Sequence, residues 1–235
     1  GSYEDTFELS KQAIDRWGWY NRNAAINPYL SEGKKTVAYE IAEQLDWKMP
    51  DFIAISVGDG CTIAGLWKGL KDLCAVGLID RLPRLISAQA EGCCPINRAI
   101  AENRPWEPME ENTLADSIAV GVPRNADKAL MAIRESNGLV VNVSDAEIMA
   151  AQKLLGRTCG VFGEPAGVTG TAGVKKLCEQ GVLPKDATVV SVVTGNGLKD
   201  VANAIKACGE PISIPSDMDL LLRAFDEHGI NADVK

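Results

Sequence analysis

An α/β fold is predicted, with a mostly parallel, twisted sheet covered by helices in three layers. Three observations carry this prediction. Helical periodicities alternate with short apolar runs along the chain, the pattern of βαβ units. Two of those runs, FIAISV at 52–57 and TVVSVV at 188–193, are strongly apolar; the first reads as a strand buried on both faces and the second as a strong strand. Each ends in a glycine-rich turn, GDGCTIAG after the first and TGNG after the second, before a new element begins.

In chain order, residues 3–17 read as a helix, with Phe7, Leu9, Ala13, Ile14 and Trp17 at mixed three and four spacing. WGWYNRNAAINPY (17–29) reads as irregular or extended, with Pro28 a helix breaker. Residues 33–46 carry Val37, Ile41 and Leu45 on one helical face. The strand 52–57 leads into a helix through Leu66, Leu70 and Leu73, and RLISA (84–88) is a second strand. Residues 103–127, rich in Pro, Glu and Asn, read as a long surface loop of the kind that often serves binding. Leu139–Val143 is a third strand, after which Ser144 and Glu147 form a capping box for a helix over 145–155. VFGEPAGVTGTAG (161–173) reads as a strand end and glycine-rich turn before a helix over 172–180. The expected division is residues 1–50, a remnant of a smaller domain with its crossover helix, and 51–235, a large ligand-binding domain.

Composition excludes several classes. A net charge of −8 with scattered Lys and Arg argues against a nucleic-acid surface. The apolar runs are far too short to span a bilayer, so no membrane partner is expected. Seven cysteines without a CxxC pair and a single histidine, His228, give no metal-ligand spacing. They fit a reduced, cytoplasmic thiol set, with most of the cysteines expected as small core residues.

The chemistry concentrates in two turns. Gly58-Asp59-Gly60-Cys61-Thr62 follows a strand and opens a helix, so backbone N–H groups and the helix dipole can face an anion. Ile63 stands where a dinucleotide fingerprint has its third glycine, and no Gly-Lys-Ser/Thr follows, so a simple phosphate is the better guest. A ligand-free βα turn is the alternative. A carboxylate at Asp59 beside a phosphate is unfavourable unless it points outward. Thr194-Gly195-Asn196-Gly197 places a hydroxyl at a strand's C-terminal end, where α/β sheets bind ligands. Together the two turns can grip opposite ends of one flat cofactor. Lys34 and Lys35, and Glu164 in its apolar setting, are further polar groups, for which solvent-facing and structural roles are the expectation.

The phrases NPYLSEGKKTVAYEIAEQL (27–45), SVGDGCTIAGLWKGLKDL (56–73), SAQAEGCCPI (87–96), TLADSIAVG (113–121), SDAEIMAAQKLL (144–155), GVFGEPAGVTGTAG (160–173) and VVTGNGLKD (192–200), in this order, resemble threonine synthases. These are pyridoxal-phosphate (PLP) enzymes of the tryptophan-synthase-like fold. The resemblance implies that Gly58, Asp59, Gly60, Cys61 and Thr62 hold the PLP phosphate and that Thr194 hydrogen-bonds the pyridine nitrogen. It implies a lyase converting O-phosphohomoserine and water to threonine and phosphate, with a small amino-acid substrate. The family's Schiff-base lysine, and the Ser-Gly-Asn turn after it, have no counterpart here. The chain is therefore expected to be a C-terminal portion, with no catalytic residue assigned, acting with an N-terminal half or partner chain. A domain cut in this way exposes apolar surface, so self-association into a homo-oligomer is also expected.

The family's substrate-phosphate clamp departs from its usual residues. Ala24, Ala25 and Leu30 stand where hydrogen-bond donors are expected. That favours, as alternatives, another PLP-dependent replacement or deaminating enzyme of the same fold, or a non-catalytic subunit.

Overall fold

In the computed structural model the described residues are 3–209 and 211–231. The last four residues of the expected 51–235 domain lie outside them. The chain runs through α1 (Tyr3–Trp17), α2 (Pro28–Gly33), α3 (Thr36–Gln44), β1 (Phe52–Ser56), α4 (Cys61–Ala75), β2 (Arg84–Ala90) and α5 (Pro95–Ala101). It continues with α6 (Ala126–Glu135), β3 (Leu139–Val143), α7 (Asp145–Cys159), α8 (Pro165–Glu179), β4 (Val189–Val192), α9 (Val201–Cys208) and α10 (Met218–His228). The four strands pair in parallel in the order β3-β2-β1-β4.

Side-chain alternation along the central strands sorts the core onto two faces. Ile53, Ile55 and Val57 pack with Leu66 and Leu70 of α4, Ala38 and Ala42 of α3, and Ala129 and Ile133 of α6. Phe52, Ala54, Ile86, Ala88 and Ala90 face Ile148 and Ala151 of α7 and Val168 and Ala172 of α8. Helices thus cover both faces, the three-layer arrangement expected of a parallel sheet. Buried Asn97 of α5 ties two strands together. Its Nδ2 donates to the carbonyls of Ser87 and Val141 at 3.0 Å each, and its Oδ1 accepts from Ser87 Oγ at 2.6 Å.

Several local expectations need correction. Pro28 opens a helix instead of breaking one, because its missing N–H falls at the first helical position, where none is needed. Asn27 caps that helix through its side-chain oxygen, 3.1 Å from Tyr29 N. The helix after the third strand runs four residues beyond 155 and ends at Gly160 in the left-handed conformation. Residues 165–171 are helix, not turn, and α8 begins at Pro165. Its glycines serve packing: a Cβ on Gly173 would meet Val141 Cγ1 at 2.6 Å and Ala88 Cβ at 3.0 Å. The segment 103–127 is not wholly a surface loop. Ala115, Ile118, Val120 and Asn125 are buried, because the second half of the segment folds back over the sheet's C-terminal ends. Of the cysteines, only Cys61, Cys93 and Cys94 are buried; Cys159, Cys178 and Cys208 are exposed.

Candidate active site

A cavity of about 230 Å³ opens at the C-terminal ends of β1 and β4, where parallel sheets leave backbone available to ligands. Gly58, Asp59, Gly60, Cys61, Thr62 and Thr194, all singled out from the sequence, line it together. Tyr3, Lys34 and Ala24 flank them, and Ser117 and Ala166 complete the walls.

The first wall is the glycine loop. Gly60 is the residue before α4 and has φ +89°, a left-handed conformation that costs an L side chain energy. No side chain caps this helix, so its first N–H groups have neither an intrahelical nor a capping partner. Such unpaired donors at a helix's positive end suit an anion. The hydroxyls of Thr62 and of Ser117, whose main chain packs against Gly58, make no hydrogen bond to described residues, and neither does that of Thr194.

The carboxylate of Asp59 is turned out of the cradle. Its Oδ1 accepts from the Arg124 main-chain N–H and its Oδ2 from Asn125 Nδ2, both at 2.6 Å. Burial pushes the Asp59 pKa up, opposed by those two hydrogen bonds. Burial likewise raises the Cys61 thiol, with the Ser31 hydroxyl 3.9 Å from its Sγ.

The second wall is the turn after β4. Glu164 N donates to the Gly195 carbonyl at 2.9 Å, and Gly197 N to the Phe162 carbonyl at 2.9 Å, pinning this turn against the start of α8. Gly195 lies close against Glu164: a Cβ there would meet its Oε1 at 1.8 Å and its Cγ at 3.0 Å, so the Glu164 side chain would have to move. Buried Glu164 takes the protein's own cation, accepting from Lys199 Nζ at 3.1 Å. Thr194 is exposed at the cavity, on a turn held to the start of α8 by the two main-chain hydrogen bonds.

Lys34 and Lys35 separate in role. Lys35 pairs with Glu32 at 2.6 Å and Asp72 at 2.7 Å, which raises its pKa. Lys34 forms no ion pair among the described residues and lines the cavity. Sequence reasoning assigned no ligand role to Tyr3, Ser117 and Ala166, which reach the cavity from three separate segments. The donor set fits a flat, phosphorylated ring: free amides and hydroxyls at one wall, an isolated hydroxyl at the other, and apolar Ile118 and Ala166 between. Among the described residues no group of three or more His, Cys, Asp or Glu side chains is placed to hold a metal, and no helix is long and apolar enough to cross a membrane.

The chain is 42% identical to the threonine synthase of Methanocaldococcus jannaschii over 97% of its own length and 56% of the relative's. It is 36% identical to that of Mycobacterium tuberculosis over 92% of its length and 58% of the relative's. The chain thus spans little more than half the length of these curated relatives. Its fold superposes on the processed threonine deaminase isoform 2 of Solanum lycopersicum with a TM-score of 0.67 at 21% identity, covering 84% of this chain and 54% of that one. It also superposes on maize serine racemase with a TM-score of 0.67 at 19% identity, covering 97% and 61%. The profile of the pyridoxal-phosphate dependent enzyme family matches residues 1–195. The chain therefore belongs to the pyridoxal-phosphate-dependent enzyme family, and within it is similar to threonine synthases.

Proposed function

We propose that this chain supplies the cofactor-binding part of a PLP-dependent lyase of the threonine-synthase type, acting on O-phosphohomoserine and water to release threonine and phosphate. The observation that carries the reading is the meeting of the glycine loop and Thr194 in one cavity. In this reading the amides of the loop and the Thr62 hydroxyl bind the cofactor's phosphate. The Thr194 hydroxyl hydrogen-bonds the ring nitrogen without the strong pull that a carboxylate would exert on a proton there. Bound PLP supplies an electron sink for carbanion chemistry at the substrate's α-carbon. Ile118 and Ala166 exclude water from the ring's surroundings, and the Lys34 ammonium is free to attract the substrate's anionic groups.

The lysine that anchors the cofactor in this family has no counterpart in the matched phrases. We infer that it comes from the portion of the relatives that this chain does not span, and that the chain alone binds cofactor without turnover. Phosphate release from O-phosphohomoserine, measured with the chain alone and with the complementary portion added, tests this. Release only on combination is expected; none in the combined sample refutes the lyase assignment.

A second reading is favoured by one observation, the presence of Ala24 on the cavity wall. An alanine side chain cannot donate to a substrate phosphate. An amino-acid deaminating or replacement enzyme without a phosphate leaving group fits that wall. Turnover of serine or threonine by the combined sample, with none of O-phosphohomoserine, would select it.

A further inference from the structure

A carboxylate sits in the middle of the loop that forms the anion cradle, where electrostatics disfavours it. We propose that Asp59 is a positioning residue: it touches no ligand, and holds the glycine loop in its anion-binding shape through Arg124 and Asn125. This deepens, and rests on, the reading of the cavity as a phosphate site.

Three hydrogen bonds join Asp59 to the start of α6. Two are the 2.6 Å bonds to its carboxylate, and the third runs back from Asn125 N to the Asp59 carbonyl at 3.1 Å. Asn125 is buried, so its amide has little access to water as a substitute partner. The next residue shows what this fastening achieves. A Cβ on Gly60 would meet the Asn125 carbonyl oxygen at 2.9 Å and Ala129 Cβ at 2.8 Å, so the loop lies directly against α6. That approach carries Gly60 into the left-handed conformation from which α4 begins uncapped.

A counter-ion role for the Arg124 side chain does not account for the arrangement. The guanidinium turns toward Glu4 and Glu8 of α1 and lies 4.3 Å from the centre of the Phe7 ring. Its main-chain N–H is the group that meets Asp59. Nor does Asp59 suit the part of a protonated acid donating to the anion. Both of its oxygens accept from N–H groups, an arrangement that stabilises the ionised form. Asparagine at this position has the same size but only one acceptor. Its NH₂ would confront either the Arg124 N–H or the Asn125 NH₂.

The test compares the affinities of PLP and of pyridoxal, which lacks the phosphate, in the unaltered protein, D59N and the double variant D59N/N125D. The double variant exchanges the two side chains and restores donor-to-acceptor pairing, with an amide on the loop now donating to a carboxylate on α6. In D59N the affinity for PLP is expected to fall about tenfold, roughly the loss of one or two buried hydrogen bonds, while pyridoxal changes little. In the double variant most of the PLP affinity returns. Equal or tighter PLP binding by D59N would show that the carboxylate faces and repels the anion, and would overturn the proposal. An equal loss for PLP and pyridoxal, unrescued by N125D, would reduce Asp59 to general stability and overturn it as well. An unaltered protein that binds both alike fails at an earlier step, in the phosphate reading itself, and takes the proposal with it.

Discussion

Replacing Gly60 with alanine couples the fold to the site in one perturbation. The backbone there has φ +89°, and an L residue in the left-handed region costs about 1–2 kcal/mol. The new methyl would also lie 2.8 Å from Ala129 Cβ and 2.9 Å from the Asn125 carbonyl oxygen. Neither is the end of a flexible side chain, so α4 and α6 must move apart, an overpacking cost of about 1–3 kcal/mol. The sum is about 2–5 kcal/mol, read as a fall in Tm of roughly 4–20 °C for a chain of this size. Gly156 is the control: it is exposed within α7, and a Cβ there meets nothing within 4 Å. Gly156→Ala should stabilise by about 0.5–1 kcal/mol through helix propensity alone. Thermal and chemical denaturation of the two variants, followed by circular dichroism, checks both numbers. A Gly60→Ala variant within about 0.5 kcal/mol of the parent would refute the tight seat of the loop on α6.

Three further outcomes follow from the same geometry. Thr194→Val keeps the shape and removes the hydroxyl. It should weaken PLP and pyridoxal together by roughly 3–10-fold, the worth of one hydrogen bond, and a change confined to PLP would place Thr194 at the phosphate instead. Asn97→Ala orphans Ser87 Oγ and frees two carbonyls within the sheet layer, so urea denaturation should register a loss of about 2–4 kcal/mol. Asp51 accepts from the Thr188 N–H and hydroxyl at 2.8 Å each and from Arg81, which together lower its pKa to about 2. A carboxyl depressed in the folded state stabilises above its unfolded pKa near 3.8 and loses that contribution as pH falls toward 2. The stability difference between the parent and Asp51→Asn should therefore be constant above about pH 5 and shrink steadily as pH falls from there through about 2; a difference independent of pH would exclude the clamp.

Much of this fold is legible in the sequence because strand burial leaves a plain signature. FIAISV reads as a buried strand and is one, VVSVV reads as a strong strand and lies half-buried at the sheet's edge, and Ser144 with Glu147 forms the capping box that their spacing announces. Legibility failed where one residue type serves two purposes. The glycines at 167, 170 and 173 read as a turn, yet they lie inside α8, where the missing Cβ lets the helix approach the sheet or the turn after β4. The short helices α5 and α6 escaped notice because their faces are built from alanine and isoleucine amid polar residues. Helices α9 and α10, each with only one buried residue, carry little core signal. Within the site, both turns stood out because glycine after a β-branched run is rare without cause. Tyr3, Ser117 and Ala166 did not, since only the tertiary fold brings residues 3, 117 and 166 to one cavity. The energetic oddity of Asp59 was the one clue to the Arg124–Asn125 clamp, because a carboxylate in that loop must be bonded elsewhere.

The most direct test of the central claim is a crystal structure of the protein soaked with PLP. The account predicts the phosphate against the amides of Gly58–Thr62 and the ring nitrogen beside the Thr194 hydroxyl, in the cavity these residues share. Cofactor found elsewhere, such as the groove of Lys68, Lys71 and Lys128 between α4 and α6, with the glycine loop empty, would contradict it.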